Sequence, residues 1–249
     1  MSRDILSELR RDLPGEGSRC VQYTRMAFQM LPRMERPRIL DVGCGKGGPT
    51  LELARLSRGR VVGLDVDPSS LNTFARKVEQ AGLSDRVQAV RGSMFAMSFP
   101  DGYFDVVWTE GAIFVIGFER GLREWCRFVR PHGYLVVHEM VWLRPNPPRA
   151  IYDYWKARYP GISTVPENLQ RVPACGCDLV GHFTLPEDLW WTEYYGPLER
   201  RIRQLRHKYA ADPAALAVLE GEQRDVELYK RHQKWYGSAF FIMQKSDRG

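Results

Sequence analysis

Long apolar runs are missing from this sequence. Nowhere in its 249 residues does a hydrophobic stretch approach the roughly 20 residues that a membrane-spanning helix needs, and the opening segment, MSRDILSELRRDL, is charged every few positions. No membrane partner is therefore expected, and the expected compartment is the cytoplasm. Cysteine is sparse and odd in number: Cys20, Cys44, Cys126, Cys175 and Cys177 are scattered, which argues against a disulfide framework. Only Cys175-Gly-Cys177 is closely spaced. With no second Cys or His pair at zinc spacing, that pair reads as a structural loop rather than half of a metal site, and no metal is expected. Repeats, linkers and low-complexity tracts are also missing, so residues 1–249 are read as a single domain.

The charge is only mildly one-sided. A net charge of +6 permits nucleic acid or an anionic substrate without requiring either. Much of the excess lies in Arg200, Arg201, Arg203, Arg206 and Lys208, spaced helically around Ile202 and Leu205. That run reads first as a solvated helix face and second as an RNA groove.

What is present is a rhythm. From about Arg38, short apolar runs (RIL, VVGLDV, RVQAV, FDVVWT, YLVVHEMVW) alternate with helical patterns, which implies crossover connections and a parallel sheet covered on both faces. Pro49 stands where a first helical position should be, with Gly59 past that helix's end. Asp67 and Pro68 open a second helix running to about Ala81, and a third covers about 119–129. After Trp142 the rhythm changes: RPNPP breaks the alternation, VGHFTL reads as a strand, and two helical patterns precede a last strand, SAFFIMQK. The domain thus divides into an N-terminal helical arm (1–35), a cofactor-binding core (36–142) and covering segments with a helical insertion (143–249). In the arm, Pro14, Gly15 and Gly17 suit a hinge that lets Tyr23 and Thr24 reach toward the site.

The stretch ILDVGCGKGG satisfies two glycine patterns. Gly43, Gly45 and Gly48 make a dinucleotide turn, while Asp41, Gly43, Gly45 and Gly47 make a turn suited to S-adenosylmethionine. Both use glycine to bring backbone close to a ligand. They differ in charge: a pyrophosphate is repelled by an acid beside the turn, whereas the ammonium and sulfonium of S-adenosylmethionine are attracted by one. Asp41 favours the second. Asp65, 18 positions beyond Gly47, stands where Rossmann-like folds place an acid on ribose hydroxyls, a signal common to both cofactors.

Taken together, ILDVGCGKGG, VVGLDVD, GSMFAMSFPDGYFDVVWTEGA and RFVRPHGYLVVHE resemble the blocks of the class I S-adenosylmethionine-dependent methyltransferases, in that family's order, over roughly 36–140. WTEGAIFVIGFERGLREW and LPEDLWWTEYYGPLE resemble small bacterial members of the type 11 kind. The resemblance implies an α/β, Rossmann-like, seven-stranded sheet in the order 3-2-1-4-5-7-6, with helices on both faces and a helical insertion before the antiparallel last strand. It also implies S-adenosyl-L-methionine as cofactor and S-adenosyl-L-homocysteine as product. The implied cofactor residues are Asp41, Gly43, Cys44, Gly45, Gly47, Asp65, Val66, Ser93, Met94, Glu110 and Gly111, with Ser93 and Met94 facing the adenine.

Open sheets bind ligands beyond the carboxyl ends of their strands, which singles out Glu110 and His138. The resemblance puts Glu110 by the methyl group; His138, titrating near neutral pH, is the candidate base or a satisfied strand-end histidine. Trp155, Trp190, Tyr194 and Tyr195 are candidate acceptor contacts, although Trp191, Tyr194 and Tyr195 also share one helix face. The expected activity is methyl transfer to a small-molecule acceptor; the alternatives are an RNA or protein methyltransferase, or a cofactor-binding protein without turnover. Oligomeric state and the attacked atom are not encoded in these patterns.

Overall fold

A computed structural model describes residues 5, 6, 8, 9 and 21–246. Helix α1 (Val21–Gln29) leads into β1 (Arg38–Val42), α2 (Gly48–Ser57), β2 (Arg60–Asp65), α3 (Pro68–Gln80), β3 (Val87–Arg91) and β4 (Phe104–Glu110). Then come α4 (Phe118–Trp125), β5 (Val129–Trp142), α5 (Arg149–Arg158), β6 (Ser163–Thr164), α6 (Val165–Arg171) and β7 (Cys177–Thr184). A π-helical turn (Trp191–Tyr195), α7 (Gly196–Lys208), α8 (Pro213–His232) and β8 (Tyr236–Lys245) complete the chain. The main sheet runs β3-β2-β1-β4-β5-β8-β7, parallel through β5 and antiparallel on both sides of β8. Set aside the two-residue β6, which pairs with the end of β5, and this is the expected seven-strand order.

Alternate residues of the strands feed two cores. Leu40, Val107, Leu135 and Val137 pack with Leu122, Trp125 and Phe128 on one face; Ile39, Val106, Trp108 and Val136 pack with Leu53, Phe74 and Ala27 on the other. A third cluster joins Leu198, Ile202 and Tyr229 of the insertion to Trp142, Ile151 and the buried N-terminal residues Ile5 and Leu9. Ile5 and Leu9 of the arm thus pack with the insertion, whereas α1, through Tyr23 and Ala27, packs in the second core.

Helix starts follow the sequence signals. The Asp67 carboxylate accepts from the Ser69 and Ser70 N–H groups, a cap worth about 1 kcal/mol. Element bounds differ from the sequence reading in places: β5 begins at Val129, before the expected Tyr134, and β8 at Tyr236, before Ser238. β6 was not foreseen, and β7 begins three residues before Val180. The third helix stops at Trp125 and tightens into a 3-10 turn over Cys126–Phe128. Gly59 lies past the end of α2 as expected, the left-handed residue there being Arg58, φ 52°, and Gly59 lies so close to Pro37 that no side chain fits at it. The hinge residues Pro14, Gly15 and Gly17 lie outside the described residues, as does Cys20.

The turn after β1 needs glycine for two separable reasons. Gly45 (φ +51°) has open space around it, whereas a methyl group at Gly47 (φ +76°) would overlap the fully buried Phe74 ring. Left-handed backbone alone costs roughly 1–2 kcal/mol for an L-residue, and overpacking a core adds about 1–3. Gly45→Ala is therefore expected to lower unfolding free energy by about 1 kcal/mol and Gly47→Ala by about 2–4, as read by urea denaturation.

Candidate active site

A cavity of about 560 Å³ opens over the carboxyl ends of β1, β2, β4 and β5. Its floor begins with Asp41, the glycine turn and Asp65, passes Glu110 and Gly111, and ends at His138 on β5 and Ser238 on β8. Val21 of α1, Val115, and Leu189, Trp190, Glu193 and Tyr194 from the segment after β7 wall and cover it. The strand order sets this layout: the turn stands over the junction of β1 and β2, and Glu110 and His138 are register partners farther along the sheet.

Asp41 is 1% exposed and accepts a 2.6 Å hydrogen bond from the Thr50 hydroxyl. Burial, reinforced by nearby Asp65, pushes its carboxyl up to about 7. Glu110 Oε1 accepts from Trp108 Nε1 and Thr24 Oγ1, each at 2.8 Å, yet burial still raises its carboxyl to about 8. Asp65 is engaged twice, its Oδ2 accepting from the Gly45 N–H at 2.8 Å and its Oδ1 from the Asp67 N–H at 2.9 Å. A carboxylate has about four acceptor positions, so two remain.

Of the sequence-predicted cofactor residues, Asp41, Gly43, Cys44, Gly45, Asp65, Val66, Met94, Glu110 and Gly111 line this one cavity. Gly47 does not; it packs beneath on Phe74 and precedes α2. Ser93 also stays out of the lining, its hydroxyl oxygen accepting from the Phe95 N–H at 3.3 Å, while the adjacent Gly92 is at the cavity wall. Thr24 reaches the site, but its hydroxyl is committed to Glu110.

The acceptor candidates split. Trp190 and Tyr194 line the main cavity, whereas Trp155 and Tyr195 line a second one of about 210 Å³ that shares Trp190 and Tyr194 as its wall. Tyr195 is a packing residue, stacked 4.1 Å from Tyr229. His138 lines the main cavity but does not titrate near neutrality: burial against Phe240, 4.8 Å away in a stacked arrangement, lowers it to about 4. Its imidazole is neutral at physiological pH. Sequence reasoning passed over Ser238, although it is the polar residue directly before the apolar run AFFIM of β8.

The described residues hold no group of three or more His, Cys, Asp or Glu side chains able to bind a metal ion. No described helix is long and apolar enough to cross a membrane.

Residues 39–133 match the family model described as a methyltransferase domain. Across 96% of its length the chain superposes on 96% of an S-adenosylmethionine-dependent methyltransferase from Thiobacillus denitrificans, crystallised with S-adenosyl-L-homocysteine, with a TM-score of 0.79 at 19% identity. This is a class I methyltransferase fold. Within it, 185 residues are 30% identical to a sterol 24-C-methyltransferase of Gibberella zeae, covering 67% of the chain and 46% of that protein, so the chain spans about half the length of this relative. The same class I fold also serves other chemistry, since the [4+2]-cyclase SpnF superposes on 91% of the chain and 81% of its own with a TM-score of 0.74 at 23% identity.

The raised carboxyls give the class I domain a pH signature. Asp41, Glu110 and Glu139, the last also raised by burial to about 8, titrate higher folded than unfolded, so their contribution is complete below about pH 4 and is lost as pH rises through 7–8. His138, lowered in the fold, acts oppositely, but only below about pH 6.5. Between pH 6.5 and 8.5 the three carboxyls oppose the Cys126 thiol, which its hydrogen bond with Cys177 lowers to about 7, and outnumber it. Ligand-free protein is expected to lose stability across that interval by on the order of 1 kcal/mol per carboxyl, and Glu110→Gln to flatten the slope, measured from urea midpoints.

Proposed function

We propose that the chain is an S-adenosylmethionine-dependent methyltransferase acting on an enclosed small-molecule acceptor. The observation that carries this reading is a pair of carboxyls in the cavity, buried Asp41 and half-buried Glu110, both raised by desolvation and standing beside a left-handed glycine turn. Such groups favour a cationic ligand and oppose a pyrophosphate. In this reading Asp41 faces the ammonium, the free acceptor positions of Asp65 take the ribose hydroxyls, and Val66 and Met94 flank the base. Once bound, the cofactor supplies a methyl group on a sulfonium, a carbon already activated for in-line displacement.

The protein's share is alignment and exclusion of water. Glu110, fixed by Trp108 and Thr24, holds at the middle of the cavity a carboxyl that a neighbouring cation would ionise. His138 offers a neutral nitrogen that can take a hydrogen bond or proton from the acceptor. The size of the cavity is that of small-molecule sites. Two members of the basic run, Arg201 and Lys208, pair with Glu8 at 3.9 and 2.7 Å, which removes part of the surface an RNA would use. The odd, scattered cysteines support a reducing, cytoplasmic compartment.

Calorimetry is expected to show binding of S-adenosyl-L-homocysteine and none of NAD at comparable affinity; the converse would refute the assignment. Asp65→Ala is expected to weaken S-adenosyl-L-homocysteine by about 1–3 kcal/mol. Because Asp65 also anchors the Gly45 and Asp67 amides, Asp65→Asn is the gentler comparison. Turnover is tested by tritium transfer from labelled S-adenosylmethionine into fractionated cell extract: label in the small-molecule fraction is expected, label only in RNA or protein would contradict the acceptor class, and none in any fraction would contradict turnover.

A further inference from the structure

Three residues at the β5/β8 end of the main cavity each carry a polar atom with no hydrogen-bond partner among the described residues: His138 Nε2, Ser238 Oγ and Trp190 Nε1, Trp190 standing in the wall shared with the smaller cavity. All three are shut off from bulk solvent. Ser238 is 1% exposed, and its neighbours along the strand, Ala239 through Met243, are apolar and fully or almost fully buried. A buried polar group without a partner costs roughly 1–3 kcal/mol, so three in one chamber is a substantial penalty against an otherwise apolar packing.

Topology explains why they are neighbours. His138 is the register partner of Phe240 and Ser238 that of Met140, so His138 and Ser238 lie on one face of the β5/β8 ladder, one pleat apart. Trp190 is brought to the same place by the chain leaving β7, where the Leu185 N–H bonds the Ser238 carbonyl at 2.9 Å and Trp190 follows five residues later. The Phe240 stack orients the imidazole.

Their chemistry is complementary. An indole N–H only donates, the neutral imidazole has one nitrogen that accepts, and a serine hydroxyl does either. A hydroxyl group uses all three in either tautomer of the imidazole, accepting from Trp190 and donating to or accepting from His138 Nε2 with Ser238 completing the set; a ketone matches Nε2 only when Nε2 carries the proton, and an ammonium leaves the indole unmatched. The lining, with Asp65 and Glu193 against Lys46 and two further carboxyls at Asp41 and Glu110 that an anion would hold neutral, offers no excess of cations to an anionic ligand. Around the trio the walls are Leu189, Tyr194 and Val115. Resting on the methyltransferase reading of the cavity, we propose that His138, Ser238 and Trp190 form an acceptor subsite for the hydroxyl of an uncharged, largely apolar alcohol or phenol.

The test uses matched probes on the full chain saturated with S-adenosyl-L-homocysteine: phenol against toluene, and cyclohexanol against cyclohexane, followed by ligand-observed NMR titration. The hydroxylated member of each pair is expected to bind at least 10-fold tighter than its apolar partner. Ser238→Ala, which removes a group that bonds nothing in the protein, and Trp190→Phe, which keeps an aromatic wall, are each expected to reduce that preference to 3-fold or less while the affinity for S-adenosyl-L-homocysteine is unchanged. Equal binding of the paired probes to the native protein, or a preference that survives both substitutions, overturns the subsite. Failure of S-adenosyl-L-homocysteine to bind the native chain would instead overturn the methyltransferase reading on which it rests, so the two failures are distinguishable.

Discussion

The turn after β1 is held to β2 by three hydrogen bonds: the Gly43 and Cys44 N–H groups both donate to the Leu64 carbonyl, at 2.8 and 3.1 Å, and the Gly45 N–H donates to the Asp65 carboxylate. Everything else at the site depends on this clasp. It forces the chain through left-handed glycines, which frees the start of α2 and leaves Asp41 under the turn with only Thr50 as a short-range partner. It also spends one oxygen position of Asp65 on architecture, so one side chain ties the proposed cofactor site to the fold. Gly43 belongs to the same constraint, since a side chain there would run into Ala112 beyond β4 and pull β1 and β4 apart.

The second constraint is the sheet's mixed direction. By inserting antiparallel β8 between β5 and β7, the fold puts the start of β8 beside the end of β5. The cavity can then continue past the last parallel strand, and the segment after β7 folds back over it as the π-helical turn and α7. The turn end of the cavity is acidic and backbone-rich; the β8 end is aromatic with isolated polar atoms. The proposed cofactor site thus falls at the turn end and the proposed acceptor subsite at the β8 end, both beyond the carboxyl ends of the parallel strands.

Much of this was legible in the sequence because the signals were local. The alternation from Arg38 to Trp142 requires only that strands and helices have different periods, and Asp67-Pro68 marks a helix start by capping chemistry alone. Misread features depended on tertiary surroundings. His138 has an ordinary histidine's sequence context, and only its burial against Phe240 keeps it neutral. Ser93 stays out of the cavity lining, its hydroxyl oxygen accepting from the Phe95 N–H two residues on. Trp155 and Tyr195 belong to the same aromatic composition as Trp190 and Tyr194, yet the packing around Tyr229 and Tyr236 directs them into the smaller chamber. Ser238 carried a signal, a polar residue directly before an apolar run, whose meaning depended on which strand β8 joins.

The central claim is that protonated carboxyls at Asp41 and Glu110 are the recognition element for a cationic cofactor. A cation placed beside them favours the ionised form, so binding must expel protons. The direct measurement is calorimetric titration of S-adenosyl-L-methionine at pH 7 in two buffers of widely different ionisation enthalpy. The account predicts net release of a fraction of a proton up to about one per site, diminished in Glu110→Gln. Tight binding with no proton exchange in either buffer would contradict it.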